Sequence, residues 1–225
     1  MQKDAWYFNE EIVKTYEFYY QEKYKRADKL EKTLLKRLLE SIGNAESLLE
    51  VGCGTAHFTR WFASLGLECY GLDLSDLMLR EARKYWVGGR LLRGESAFLP
   101  FKSNSFDIVV FMACMEYMPQ PAKVICEAVR VARKGIIIGL MNKWSLPTAR
   151  RIIQVKMGKN PYYKNARFYS ILDMKRMLKD TLGDKYAISL WTTTVFPKVF
   201  GDVHSALIPF GAFLGIAVKL GWNLD

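Results

Sequence analysis

Between Ser47 and Met141, five short runs of strand character alternate with stretches whose apolar residues recur at helical spacing. The runs are Ser47–Val51, Glu68–Asp73, Arg90–Gly94, Asp107–Ala113 and Gly135–Met141. Strands separated by helices pair in parallel, through right-handed crossovers that lay helices on both faces of the sheet. The unbroken apolar character of the fourth run requires cover on both faces. The chain is therefore expected to be α/β and doubly wound.

Apolar and aromatic positions from Asn9 to Leu39 predict two helices ending near Gly43. Helices are also expected at 56–65, after Ser75 as N-cap, at 122–132 and at 170–179. Residues 143–167, with Pro147, Gly158, Asn160-Pro161 and Tyr162-Tyr163, read as an inserted cap. Two further strands are expected around 187–195 and 210–219, joined by a loop carrying Pro197, Gly201, His204 and Pro209. At about 150 residues per domain, the 225 residues make one domain. Its parts are an N-terminal helical lid (1–44), a ligand-binding core (45–142), a basic cap and helix (143–185) and the final two strands (186–225).

Half the residues are apolar and a quarter charged, which excludes disorder, collagen and coiled coil. The longest uncharged stretch, Val203–Val218, is only 16 residues and is broken by Pro209, Gly211 and Gly215, short of the ~20 apolar residues a membrane span needs. Lys3, Asp4, Glu10 and Glu11 leave no apolar leader at the N-terminus, so a cytoplasmic location is expected. Cys53, Cys69, Cys114 and Cys126 form no CxxC pair; buried free thiols and no metal site are expected. Of the net charge of +10, +8 falls in residues 143–180, a basic patch on one element.

In Glu50-Val-Gly52-Cys-Gly54-Thr-Ala56 a strand runs into two glycines one residue apart and then into a helix, a turn that lets a ligand approach the backbone closely. Asp73, 21 residues after Gly52, ends the second strand, where a carboxylate can accept both hydroxyls of a ribose. Both features point to an adenosine-containing ligand. Its charge is set by Glu50: a carboxylate two residues before the first glycine repels a pyrophosphate but suits the sulfonium and ammonium of S-adenosylmethionine.

Leu48-Leu-Glu-Val-Gly-Cys-Gly-Thr55, Gly71-Leu-Asp-Leu-Ser75 with Met78 and Ala82, Gly94-Glu-Ser-Ala-Phe-Leu-Pro-Phe101 and Ser105-Phe-Asp107 together resemble the class I S-adenosylmethionine-dependent methyltransferases. The likeness is strongest to the small-molecule branch that includes ubiquinone- and menaquinone-biosynthesis enzymes. It extends through Met115–Pro121 and covers roughly residues 46–141. It implies a Rossmann-like sheet of seven strands with the last antiparallel. It also implies Glu50 at the methionine ammonium, the Gly52-Cys53-Gly54 backbone along the methionine, and Asp73 at the ribose, with Leu74 and Met78 beside the adenine. Glu95 and Ser96 would meet the adenine edge, and Met112 would close the pocket near the sulfur. Two departures stand out: Ala56 replaces a frequent third glycine, and Tyr117 a frequent histidine.

Methyl transfer from a sulfonium needs no catalytic constellation, because the cofactor supplies the electrophile. Glu116, Tyr117 and His204 remain the candidates for a catalytic role. For the acceptor, the candidates are Tyr20, Tyr117, His204 and the cap's Arg150, Arg151, Lys156 and Lys159, which would draw an anionic or partly apolar small molecule. Tyr7, Tyr16 and Tyr19 are expected to pack a lid, Asp107 to tether its strand, and His57 to be an exposed or capping residue. Two rival functions stand beside the small-molecule enzyme: an RNA methyltransferase using the basic segment and its aromatic residues, and a cofactor-binding regulator without turnover.

Overall fold

A computed structural model describes residues 5–221 of the chain, apart from the side chains of Tyr19 and Gln21 and the surroundings of Pro161. Lys3 and Asp4, part of the expectation about the N-terminus, and the last residues of the final segment lie outside the described residues, as does the Tyr19 side chain. Seven strands form one sheet: β1 (Ser47–Val51), β2 (Glu68–Asp73), β3 (Arg90–Arg93), β4 (Phe106–Met112), β5 (Ala132–Met141), β6 (Tyr186–Thr194) and β7 (Phe213–Leu220). Their order is β3-β2-β1-β4-β5-β7-β6, with the first five parallel and β7 antiparallel to both β5 and β6.

The helices are α1 (Glu10–Phe18), α2 (Lys25–Ile42), α3 (His57–Ser64), α4 (Asp76–Tyr85), α5 (Pro121–Val131), α6 (Leu146–Lys156) and α7 (Ile171–Leu182); a π-turn at Tyr19–Lys23 joins α1 to α2. Strand alternation divides the core. Val109 and Phe111 of β4 pack with Val124, Ile125 and Ala128 of α5 and Met174 and Leu178 of α7. Ile108, Val110 and Met112 face Leu34, Leu35 and Leu38 of α2 and Phe58 and Phe62 of α3. The same alternation sets Glu50 on the α3 side, with Leu48 and opposite to Leu49 and Val51.

Most expected elements are present, with three differences. Pro147 reads as a break, yet it sits in the first turn of α6, where a missing N–H costs nothing and the Ser145 hydroxyl accepts from Thr148 N–H at 3.3 Å. The last strand begins at Phe213, because Phe210–Ala212 turn back to donate to Val195 and to accept from Asn142. Cys53 and Cys69 are buried free thiols as expected, whereas Cys114 is half-buried and Cys126, on α5, is exposed. Asp107 does tether its strand: Oδ2 accepts from the N–H of Glu46 at 2.8 Å and Arg133 donates to Oδ1 at 3.0 Å.

Candidate active site

The carboxyl end of β1 runs into the turn 52–56, which is pinned to β2 because the N–H groups of Gly52 and Cys53 both donate to the Leu72 carbonyl, at 2.7 and 3.1 Å. Gly52 has φ of +75°, and a Cβ there would lie 2.7 Å from Cys114 Cβ, so only glycine fits. Two alanines beside the site, Ala56 (φ 59°) and Ala113 (φ 48°), hold left-handed backbone that strains a residue with a Cβ. Asp73 closes the turn from below, accepting from Gly54 N–H and Ser75 N–H at 2.8 Å each. Burial lifts its carboxyl above the usual range, and those backbone donors hold the rise down. Ser75 in turn caps α4 and donates to the Tyr7 carbonyl at 2.6 Å.

These groups open on a cavity of about 580 Å³ at the carboxyl ends of the central strands. Glu50, Gly52, Cys53, Gly54, Asp73, Leu74, Met78, Glu95, Ser96 and Met112, all expected at the cofactor, line it together. Among the described residues the lining holds three carboxylates and no lysine or arginine. Burial pushes the Glu50 carboxyl up to about 8 against the hydrogen bond donated by the Thr59 hydroxyl. Such a chamber gives a pyrophosphate no lysine or arginine, and its acids can pair with a cation once ionised, which fits S-adenosylmethionine.

The other wall is aromatic and comes from the lid. Trp6 stacks on Tyr16 with ring centroids 5.2 Å apart and meets Tyr117 edge-on at 5.9 Å; Tyr16 meets Tyr20 at 5.6 Å, and Tyr20 stacks on His57 at 4.4 Å. Tyr20 and Tyr117, expected near the acceptor, are thus in the cavity wall, together with Tyr7 and Tyr16. Sequence patterning gave no sign of Trp6, Thr55 or Cys114, which also line it. Burial raises the Tyr16 and Tyr117 phenols above their ordinary range, so both remain protonated near neutral pH.

His57 overturns its expected role. It is not exposed: its Nδ1 lies 3.2 Å from Glu17 and its Nε2 2.7 Å from Asp28. Glu17, buried on α1, also accepts from the Thr55 hydroxyl at 2.7 Å and from Arg60. The lid is thereby latched to the glycine turn by side chains from α1, α2 and α3. Burial opposes the charge on each group, but the mutual hydrogen bonds outweigh it: His57 is raised, and Glu17 and Asp28 are lowered.

The sequence profile of a family described as a methyltransferase domain matches residues 49–139. An uncharacterised protein of Methanocaldococcus jannaschii is 33% identical over 67% of this chain and 69% of its own length. A malonyl-[acyl-carrier protein] O-methyltransferase of Pectobacterium atrosepticum is 32% identical over 51% of this chain and 46% of its own. For a demethylmenaquinone methyltransferase of Tropheryma whipplei the figures are 34%, 40% and 38%. The chain belongs to the class I S-adenosylmethionine-dependent methyltransferases. The matched segment of this methyltransferase spans less than half the length of either relative named for its reaction. A solved methyltransferase of Thermotoga maritima shares the fold with a TM-score of 0.71 at 22% identity, covering 96% of this chain and 99% of its own. Magnesium protoporphyrin IX methyltransferase of Synechocystis, with bound S-adenosylhomocysteine, does so at 0.58 and 18%, over 84% and 82%.

Six expected site residues, Glu116, Arg150, Arg151, Lys156, Lys159 and His204, stand outside the methyltransferase's cavity lining. Arg150 is exposed on α6, and Arg151 lies over the Tyr163 ring at 5.2 Å. His204 sits on the loop that Arg26 of α2 holds through Phe196, Gly201 and Asp202, and burial lowers its pKa. Each was expected from the end of the strand before it, but none reaches the lining: Arg151 packs on Tyr163, and Arg26 of α2 holds the β6–β7 loop. Glu116 is buried beside the cavity, where its Oε1 accepts from Met141 N–H at 2.6 Å and burial pushes its carboxyl up to about 7.

Proposed function

We propose that this methyltransferase carries out in-line transfer to a small uncharged or cationic acceptor that brings its own nucleophilic atom. The observation that carries this reading is the composition of the cavity: a wall of Trp6, Tyr7, Tyr16, Tyr20 and Tyr117 opposite the acids Glu50, Asp73 and Glu95, with no lysine or arginine among the described lining residues. Aromatic faces favour planar or cationic groups, and the lining offers an anion no lysine or arginine to pair with. The anionic acceptor suggested by the cap's charge loses its support, since Arg150 and Arg151 stand outside.

When bound, S-adenosylmethionine supplies a methyl group on a cationic sulfur. Asp73 would accept the ribose hydroxyls, Glu50 would face the ammonium, and Leu74 and Met78 would flank the adenine, with Glu95 and Ser96 at its edge. Gly52–Gly54 leave room for the methionine, and Met112 borders the sulfur. The protein's task is then to align the acceptor and exclude water. His57 has both ring nitrogens engaged, Glu116 is outside the lining, and the phenols hold their protons, so none of these serves as a free base.

Incubation with labelled S-adenosylmethionine and host extract should yield a labelled small molecule that is neutral or basic. With that acceptor, Tyr117→Ala should raise KM several-fold and leave cofactor affinity in place. Label found in RNA or in an acidic metabolite would overturn the reading.

A further inference from the structure

One group of exposed apolar side chains is not explained by the cavity. Along α6, Leu146, Arg150, Ile153 and Met157 are all exposed and follow one another at steps of four, three and four residues, so they form one stripe. Thr148 is buried on the opposite side of the helix. The loop between β6 and β7 presents Val199 at 86% and Leu207 at 93% exposure, with Phe200 and Phe210 beside them. Loop and helix are joined: the Asn142 amide donates to the carbonyls of Pro209 and Gly211 at 2.7 and 2.8 Å, and Asn142 O accepts from Ser145 at the start of α6.

The charge of this face has one sign. Residues 143–160 hold Arg150, Arg151, Lys156 and Lys159, together with Lys143, which pairs with Asp173 at 3.0 Å, and no acid. Residues 195–212 hold Lys198 and a single acid, Asp202, which pairs with Arg26 at 3.1 Å. Apolar side chains projecting between cations suit the boundary between lipid headgroups and acyl chains. A second copy of the chain would bring the same charge, which opposes self-association. Most of the projecting groups, Leu146, Ile153, Met157, Val199 and Leu207, are aliphatic and have no planar face to stack on a base, which favours lipid over RNA. The segment that follows α6 reaches the cavity wall, where Tyr162 lies 6.3 Å from Trp6.

We propose that α6 and the β6–β7 loop form a docking surface for an anionic lipid bilayer. This holds whichever acceptor the cavity takes.

Flotation of the full chain tests it, with vesicles of equal parts phosphatidylglycerol and phosphatidylcholine compared with pure phosphatidylcholine. Partition into the anionic vesicles is expected, with little into the zwitterionic ones. Val199→Ser with Leu207→Ser should lower it about tenfold. The triple variant Arg150→Gln, Lys156→Gln, Lys159→Gln should lower it about a hundredfold, at roughly fivefold per cation. All five positions are exposed, so unchanged melting and S-adenosylhomocysteine affinity would show that the variants remain folded. No partition into either vesicle, equal partition of the variants, or concentration-dependent self-association abolished by Val199→Ser and Leu207→Ser would overturn the proposal. So would tighter binding to single-stranded RNA than to the anionic vesicles.

Discussion

At the scale of single residues, the site rests on two carboxylates in different states. Asp73 accepts two backbone N–H bonds at 2.8 Å and still faces the cavity. Hydrogen bonds to a charged acceptor contribute about 1.5–3 kcal/mol, so Asp73→Ala should weaken S-adenosylmethionine about 10- to 100-fold by calorimetry. Glu50 differs because burial holds its carboxyl near 8. Below that pH it must lose a proton before it can pair with an ammonium. Affinity for S-adenosylhomocysteine should therefore rise from about pH 6 to about pH 8, by up to about tenfold per unit, and level off above. Calorimetry over that range checks this, and Glu50→Gln should flatten the dependence. Both residues were legible from the sequence because each ends a strand whose period and following turn are local features. The state of Glu50 was not, since it depends on the Thr59 hydroxyl and the apolar surroundings that α3 brings.

At the scale of elements, the lid is held by charge as well as by packing. His57 is raised above its ordinary value of 6.5, so its contribution to stability is complete below 6.5 and is lost as pH rises through its folded pKa. Glu17 and Asp28 are lowered from 4.5 and 3.8, so theirs is present above those values and lost as pH falls through the folded ones. The latch is strongest between about 4.5 and 6.5, with Lys32 opposing the imidazolium and Arg60 supporting Glu17. His57→Asn should cost about 1–2 kcal/mol near pH 6, a fall in Tm of about 2–4 °C per kcal/mol, and clearly less near pH 9. Equal losses at both, in paired melts, would mean that packing of the ring under Tyr20 is what matters. The helices themselves were readable from apolar spacing at Leu30, Leu34, Leu35 and Leu38. Their attachment was not, because Glu17, Asp28 and His57 carry no local mark of one another across 29 and 40 residues.

At the scale of the whole molecule, the sheet is a continuous ladder in which β5 lies between β4 and the antiparallel β7. Gly135 pairs with Lys219, and a Cβ there would lie 2.4 Å from the Val218 carbonyl oxygen, a main-chain atom with little freedom to move. Gly135→Ala should cost about 1–3 kcal/mol in thermal or denaturant unfolding. It should leave S-adenosylhomocysteine affinity unchanged, since Gly135 is not in the cavity lining. By itself the sequence determined the alternating α/β order, the glycine turn, Asp73 and Glu50, because strand period, helix period and turn chemistry are written in contiguous residues. Only the tertiary structure decided that Trp6 and Tyr7 wall the cavity, that His57 is a latch, and that Arg150, Arg151 and His204 stand outside the cavity lining. Periodicity reports which face of an element is apolar, but not which distant element covers it. The direction in which a loop leaves the sheet is set by partners such as Arg26 and Asn142, which lie far from it in the chain.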